Sequence, residues 1–130
     1  MKTKQDFEKM LQGNFFTIIS IAHENSSVKA VLELNAAHEI FKGHFPETPV
    51  VPGVCMLQMV KEVLENILEK EATLKNAAHL KFLTVINPTE TKIIQLEIKY
   101  ILTENKEVSV AVSLFNEGVV YFKCKALFVF

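Results

Sequence analysis

Residues 41–62, FKGHFPETPVVPGVCMLQMVKE, are the stretch from which the fold of this chain can be predicted. The first thirteen of them include one histidine, three prolines and two glycines, a composition that predicts a stiff loop. An apolar run follows at once, and Pro52 suits the first turn of a helix because an N–H there would have no intrahelical acceptor. The stretch therefore predicts a histidine-bearing loop that leads directly into a buried helix.

The predicted helix runs from about Pro52 to Lys70. Its first half, VCMLQMV, is apolar nearly all round, which is typical of a buried helix. Its second half is amphipathic. Polar residues recur at helical spacing as a stripe that we interpret as a solvated face: Gln58, Glu62, Glu65 and Glu69. The apolar side consists of Val60, Val63, Leu64, Ile67 and Leu68.

Strands are predicted on both sides of this helix, because β-branched and aromatic residues are concentrated there between short polar turns. Their approximate ranges are 15–27, 27–35, 77–88, 91–103, 107–116 and 119–130. A short amphipathic helix is predicted at residues 6–11, ended by Gly13. The order of elements predicts one α+β domain over residues 1–130, in which a curved six-stranded antiparallel sheet wraps around one long central helix.

Composition excludes several classes of function. The formal net charge is −1 and every basic residue other than histidine is lysine, which argues against nucleic-acid binding. No apolar run reaches the roughly 18 residues that a membrane span needs, and the N-terminus lacks a secretory signal, so we expect a cytoplasmic protein. Cys55 and Cys124 lie in apolar runs and are interpreted as two buried free thiols.

The motif in this loop resembles the signature of the 3-hydroxyacyl-acyl carrier protein dehydratases of bacterial fatty acid synthesis, which have the hotdog fold. That signature is a phenylalanine, one residue, Gly-His-Phe-Pro, two residues, a proline, two residues and Pro-Gly. Here its positions are Phe41, Gly43, His44, Phe45, Pro46, Pro49, Pro52 and Gly53. The segment LKFLTVINPTE, after the helix, resembles a weaker family pattern that ends in a proline and a turn.

The resemblance implies an acyl tunnel lined by the helix at a homodimer interface, or in a higher oligomer of such dimers. In the family, one subunit contributes the histidine and the other a helix carboxylate. The acyl chain would be carried as a thioester on the phosphopantetheine of an acyl carrier protein or on coenzyme A, and no further cofactor is expected. The substrate-binding residues that the resemblance implies are Phe41, Gly43, Phe45, Pro52, Gly53 and Val54.

The chain departs from the family where the catalytic carboxylate is expected, five residues after the last glycine of the motif. That position is Gln58, and the position four residues later, often glutamine in the family, is Glu62. Gln58 is neutral, so it cannot act as a general acid, although its amide can hold a water molecule or a substrate hydroxyl. Glu62 lies one turn further along the helix. It is either an alternative acid or, as a member of the polar stripe, an ordinary solvated side chain.

Dehydration of a 3-hydroxyacyl thioester needs a base for the proton next to the carbonyl and an acid for the departing hydroxyl. His44 is the candidate base, since an imidazole titrates near neutral pH. The N–H groups of Gly53 and Val54, at the start of the helix, are candidate donors to the enolate oxygen.

The remaining candidates for chemistry are weaker. His23 and His79 are interpreted as structural, and His38 as a surface residue near the pocket. Lys42 is either an ordinary exposed lysine or a contact for an acidic carrier protein. The sequence has no cysteine–histidine cluster with zinc-ligand spacing, no Gly-x-Ser-x-Gly motif and no glycine-rich phosphate loop.

Three functions follow from these residues. The leading one is a dehydratase that acts on 3-hydroxyacyl thioesters. The second is a hotdog thioesterase, in which a polar helix residue such as Gln58 positions the attacking water. The third is a non-catalytic acyl-binding or partner subunit that has lost the carboxylate.

Overall fold

The computed structural model describes residues 11–45 and 47–130. These residues form six β-strands and two α-helices, in the order β1, β2, α1, α2, β3, β4, β5, β6. The strands are β1 Phe16–Glu24, β2 Ser27–Leu34, β3 Thr73–Phe82, β4 Ile93–Leu102, β5 Glu107–Asn116 and β6 Val119–Val129; the helices are α1 Ile40–Gly43 and α2 Gly53–Leu68. The helix predicted at residues 6–11 lies outside the described residues, apart from Leu11.

The strands form a single sheet in the order β1-β2-β4-β5-β6-β3, and all five neighbouring pairs are antiparallel. Helix α2 is the one long helix of the described residues and occupies the concave side of this sheet. The predicted architecture, a six-stranded antiparallel sheet wrapped around one central helix, is therefore confirmed. No helix of the described residues is long and apolar enough to cross a membrane.

Helix α2 begins and ends as its sequence predicts. Pro52 is the N-cap in an extended conformation, with φ −64° and ψ 146°. Glu69 closes the helix in the left-handed region, at φ 54°, where its N–H donates to the carbonyl of Glu65 at 2.9 Å. The most deeply buried side chains of the helix are Met59, Val60, Val63 and Leu64.

Alternation along β2, β4, β5 and β6 places apolar side chains against α2 and polar ones on the outer face. In β2, for example, Val28 and Leu32 are fully buried, whereas Lys29 is exposed. Both cysteines are free and buried, as predicted. Burial raises the pKa of both thiols, that of Cys124 to about 11.

Strand β3 differs from the prediction at both ends. It begins at Thr73 rather than near residue 77 and ends at Phe82 rather than near residue 88. After Phe82 the regular pairing with β6 ends: the N–H groups of Leu83 and Thr84 both donate to the carbonyl of Tyr121 in β6, at 2.8 and 3.3 Å. Further on, the carbonyl of Ile86 accepts the N–H of Val51 at 2.9 Å. The segment after β3 thus runs beside the histidine-bearing loop instead of extending the sheet.

The polar stripe on α2 is only partly solvated, so that prediction is wrong for two of its residues. Glu62 and Glu65 are buried, at 3% and 6% exposure. Each carboxylate accepts a backbone N–H from outside the helix, from Gln12 to Glu62 and from Ala72 to Glu65, both at 2.8 Å. These hydrogen bonds offset the cost of removing the charged groups from water. Glu69 is exposed, as predicted.

Candidate active site

Backbone hydrogen bonds hold the loop between the two helices at several points. His44 ends α1, and its N–H donates to the carbonyl of Ile40 at 3.1 Å. The N–H of Val50 then donates to the carbonyl of His44 at 3.0 Å, which closes the loop on itself. The bond from Val51 to Ile86 ties the same loop to the segment after β3. His44 is therefore fixed in position relative to the start of α2.

The imidazole of His44 has two defined neighbours. Its Nδ1 lies 3.2 Å from the carbonyl oxygen of Val50, and its ring stacks on Phe45 with centroids 4.4 Å apart. Because a carbonyl oxygen can only accept, the hydrogen bond assigns the proton to Nδ1. In the neutral ring Nε2 then carries the lone pair, which is the state that a general base requires.

A pocket of about 370 Å³ lies between this loop, the start of α2 and the segment after β3. Its walls are mostly apolar, and His44 is the ionisable residue among them. An apolar pocket with a few polar groups is the usual form of a site for a small molecule or an acyl chain. The lining residues are His44, Val50, Val51, Pro52, Gly53, Met56, Phe82, Leu83, Thr84 and Val85.

Gly53 starts α2 at the wall of the pocket and lies against Phe82. A Cβ at Gly53 would be 2.8 Å from two carbons of the Phe82 ring, so no other residue fits without a shift. Phe82 is held in turn by Phe122, with ring centroids 4.9 Å apart. By helix geometry the N–H groups of Gly53 and Val54 have no acceptor within α2, and Gly53 itself lines the pocket.

The substrate-binding residues implied by the motif lie in different surroundings. Pro52 and Gly53 line the pocket. Phe41 is buried and packs on Phe15, with centroids 5.4 Å apart, so its visible contact is with the core. Phe45 and Val54 are exposed, at 53% and 73%. Gly43 is in open surroundings, with no atom within 4 Å of an added Cβ.

Several pocket residues were not singled out from the sequence. Met56, Thr84 and Val85 come from the buried helix and from the segment after β3. The sequence contains a signal for that segment, since LKFLTVINPTE resembles the weaker family pattern. Its assignment as a continuous strand hid the fact that residues 83–85 turn toward the loop.

Gln58 and Glu62 form a hydrogen-bonded pair on another side of the helix. The Gln58 amide nitrogen donates to Oε2 of Glu62 at 3.0 Å, while Oε1 of Glu62 accepts the N–H of Gln12. Gln58 is two positions beyond Met56, about 200° around the helix, and neither Gln58 nor Glu62 lines the pocket of the single chain. One chain alone therefore keeps the histidine and the polar pair apart.

Burial raises the pKa of the Glu62 carboxyl above its ordinary value of 4.5. The hydrogen bonds from Gln58 and Gln12 and the charge of Lys61 lower the pKa, whereas the charge of Glu65 raises it. Desolvation is the largest of these effects. The environment therefore favours the protonated carboxyl more than water does.

The other three histidines do not line this pocket: His23 and His38 contact neighbouring groups of the fold, whereas His79 is exposed on β3. Nε2 of His23 lies 2.7 Å from the hydroxyl of Tyr100. Nδ1 of His38 accepts the N–H of Ile40 at 3.1 Å, and its ring packs edge-on against Phe15. His79 occupies an irregular point of β3, at φ 53°. Among the described residues no group of three or more histidine, cysteine or acidic side chains could hold a metal ion.

The edge of the sheet next to the pocket is uncovered. β3 is the last strand of the sheet and is exposed along nearly its whole length. Around the pocket mouth Phe82, Leu83 and Val85 are 53%, 54% and 70% exposed. Long exposed edges and apolar patches of this kind are typical of surfaces that another chain covers.

Comparison with known protein families identifies a match over most of the chain. The model of a family described as ApeI-like, ApeI dehydratase, matches residues 20–121. Among curated proteins, the 3-hydroxyacyl-[acyl-carrier-protein] dehydratase FabZ of Wolbachia pipientis wMel is 30% identical over 83 residues, 56% of this chain and 56% of that protein. The chain thus matches little more than half the length of this relative.

Solved structures share the fold at low sequence identity. The dehydratase heterocomplex ApeI:P from Xenorhabdus doucetiae has a TM-score of 0.71 at 18% identity, covering 88% of this chain and 97% of the other. A putative thioesterase, a phenylacetic acid degradation-related protein from Ralstonia eutropha JMP134, has a TM-score of 0.63 at 13% identity, covering 94% and 89%. These similarities establish the hotdog fold, and they carry no assignment of activity.

Proposed function

Because the chain belongs to the ApeI-like dehydratase family, we propose that it removes water from a 3-hydroxyacyl thioester. The observation that carries the proposal is the hydrogen bond between Nδ1 of His44 and the carbonyl of Val50. This bond leaves Nε2 as the base at an apolar pocket, next to the first N–H groups of α2. The pocket would hold the start of the acyl chain, and the thioester would be carried by an acyl carrier protein or by coenzyme A.

In the proposed reaction, Nε2 of His44 takes the proton from the carbon between the carbonyl and the hydroxyl-bearing carbon. The electron pair moves onto the thioester oxygen, which accepts hydrogen bonds from the N–H groups of Gly53 and Val54. The pair then returns to form the carbon–carbon double bond as the C–O bond breaks. The leaving hydroxide receives the proton from His44, so the products are an enoyl thioester and water.

Gln58 takes the place of the usual carboxylate, and we propose that its amide holds the departing hydroxyl. Glu62 then acts as a positioning residue, because the Gln58 amide nitrogen donates to its carboxylate at 3.0 Å. A direct acid role for Glu62 is the alternative, favoured by the burial that raises its pKa. Against that alternative, both carboxylate oxygens of Glu62 already accept hydrogen bonds within the chain.

We propose that two copies of the chain form a homodimer and complete each site together. In one chain Gln58 does not line the pocket that contains His44, and the uncovered strand β3 and the exposed side chains of Phe82 and Val85 support association beside the pocket. Lys42 is exposed beside the motif, where it would face an acidic carrier protein. Light scattering at micromolar concentration tests the dimer, and a monomer would contradict it.

The second candidate function is thioester hydrolysis. It is favoured by Gln58, whose amide could orient a water molecule toward the thioester carbonyl. The third candidate, a binding or partner subunit without activity, is favoured by the same replacement of a carboxylate.

One experiment separates the three candidates. The protein is incubated with a 3-hydroxyacyl chain on an acyl carrier protein and, separately, on coenzyme A, and the products are identified by mass spectrometry. Loss of water with the thioester intact is the result expected for the dehydratase. Release of a free 3-hydroxy acid would support the thioesterase instead, and unchanged substrate with measurable binding would support the partner subunit. The His44→Ala variant is the control for activity of contaminants.

A further inference from the structure

The outer face of the sheet carries a lysine-rich depression that the proposed reaction does not use. It has a volume of about 310 Å³ and lies on strands β3 to β6, facing away from the helix. The neighbouring residues Val112 and Cys124 are buried on the inner face, so strand alternation directs the residues on either side of them outward. The outward side chains that line it are His79, Lys81, Glu97, Lys99, Ala111, Ser113, Lys123 and Lys125.

Strand register explains both the shape and the charge of the depression. Ala111 lies between Lys99 of β4 and Lys125 of β6, and Ser113 lies beside Lys123. Short side chains on β5 therefore form the floor, and lysines on the neighbouring strands form the walls. From Lys99 on β4 to Lys81 on β3 there are three interstrand spacings, about 14 Å.

The positive charges are concentrated without matching negative ones. Lys81 and Lys123 are direct cross-strand partners, an arrangement of like charges that destabilises a sheet. Glu97 is the one carboxylate among the lining residues, and it already lies 3.9 Å from Lys99. The whole chain, by contrast, has a net charge of −1. A bound anion would relieve the repulsion between Lys81 and Lys123.

An irregularity in β3 adds a further donor to the same depression. The register of β3 against β6 shifts between Ala78 and Lys81, and His79 within this shift has a φ of 53°. Such bulges redirect a side chain out of the regular alternation. The hydroxyl of Ser113 and the ring nitrogens of His79 accordingly supply hydrogen-bonding groups between the lysines.

We propose that this depression binds a small soluble molecule that carries two or more phosphate groups. Several ammonium groups around a floor of short side chains suit phosphate oxygens, which accept strong charge-assisted hydrogen bonds. The size of the depression fits a small ligand rather than a protein surface, which would need roughly 800 Å² of contact on each partner. A second copy of this chain would place lysine against lysine, so it does not fit this face.

Inorganic tripolyphosphate is the probe for this site, titrated into the full chain by calorimetry at constant ionic strength. We expect saturable binding with one ligand for each chain. Lys123→Gln and Lys81→Gln should each weaken the affinity about tenfold or more, as expected for the loss of a charge-assisted hydrogen bond. Lys92→Gln, which removes an exposed lysine before β4, should bind like the original protein.

Thermal unfolding with and without tripolyphosphate gives a second readout that a purely structural role would not produce. At low salt Lys123→Gln should unfold at the same or a higher temperature, since it removes a cross-strand repulsion, yet it should lose the stabilisation by tripolyphosphate. Non-saturable binding, or equal affinities for Lys123→Gln and the original protein, would overturn the proposal. Tight binding of polyglutamate without binding of tripolyphosphate would overturn it in favour of an acidic protein partner.

Discussion

Gly53 and Phe82 fit together so closely that a methyl carbon added at Gly53 would lie 2.8 Å from Cε1 and Cζ of the Phe82 ring. Gly53 begins the central helix, and Phe82 is the last residue of strand β3. The contact therefore joins the two walls of the pocket at the point where the first N–H groups of the helix are available. This close contact explains why the last position of the motif, Gly53, is a glycine.

Gly53→Ala is expected to displace Phe82 and narrow the pocket. We expect a loss of about 1–3 kcal/mol in the free energy of unfolding, as for other overpacked sites, together with reduced turnover. The double variant Gly53→Ala, Phe82→Leu should recover part of both losses. Gly43→Ala is the control for stability, because an added Cβ there meets no atom within 4 Å. Equal effects of the two single alanine variants on unfolding would contradict the packing argument.

His44→Ala is expected to lower the dehydration rate by roughly 10²–10⁴-fold, the usual contribution of a general base. The fold should persist, since the side chain of His44 is half-buried and makes one hydrogen bond to the loop. His23→Gln is the matched control, because a glutamine can keep a hydrogen bond to Tyr100 away from the pocket. Circular dichroism checks the fold. Full activity of a folded His44→Ala protein would remove the base from the mechanism.

Variants of the helix pair distinguish the two roles of Glu62. If Glu62 positions Gln58, Glu62→Gln should slow dehydration only modestly and Gln58→Ala should slow it strongly. If Glu62 is the acid, Glu62→Gln should cost roughly 10²–10⁴-fold. Gln58→Glu would raise the rate if an acid is lacking, but would have little effect if Glu62 already supplies one, since adjacent carboxyls compete for one proton. The measurement is the dehydration rate of each of the three variants on the same 3-hydroxyacyl thioester.

Glu62 should also make the stability of the protein depend on pH. Its pKa is raised in the folded state, so the folded protein holds the proton more tightly than the unfolded chain. The contribution of this carboxyl is then fully present below pH 4.5 and is lost as the pH rises through the higher folded-state pKa. The free energy of unfolding of Glu62→Gln, relative to the original protein, should therefore increase from pH 4 to pH 7.

Urea unfolding at the two pH values measures this difference. Glu90→Gln, at an exposed turn, controls for the loss of one negative charge. A relative stability of Glu62→Gln that falls between pH 4 and pH 7 would contradict the raised pKa.

Local signals in the sequence were sufficient for the main architecture. Pro52, the apolar run after it and the polar end at Lys70 predicted the helix within two residues of its observed bounds, Gly53 and Leu68. The motif also predicted that His44 lies beside the helix start, which is the arrangement observed at the pocket. Each of these features depends on neighbours in the sequence.

Features that depend on distant contacts were not predictable in this way. The buried state of Glu62 rests on the N–H of Gln12, which is 50 residues away in the chain. Residues 83–88 have the composition of a strand, but the carbonyl of Ile86 accepts a hydrogen bond from the N–H of Val51 in the loop. The short helix α1 depends on the packing of Phe41 against Phe15 rather than on its own four residues.

The most direct test of the account is to mix two variants that each lack one half of the proposed site. His44→Ala and Gln58→Ala chains are unfolded together, refolded, and assayed for loss of water from a 3-hydroxyacyl thioester by mass spectrometry. If His44 of one copy works with Gln58 of the other, random pairing places one intact site in half of the dimers, so about one quarter of the original rate should return. Mixed dimers without any recovered dehydration would contradict the account.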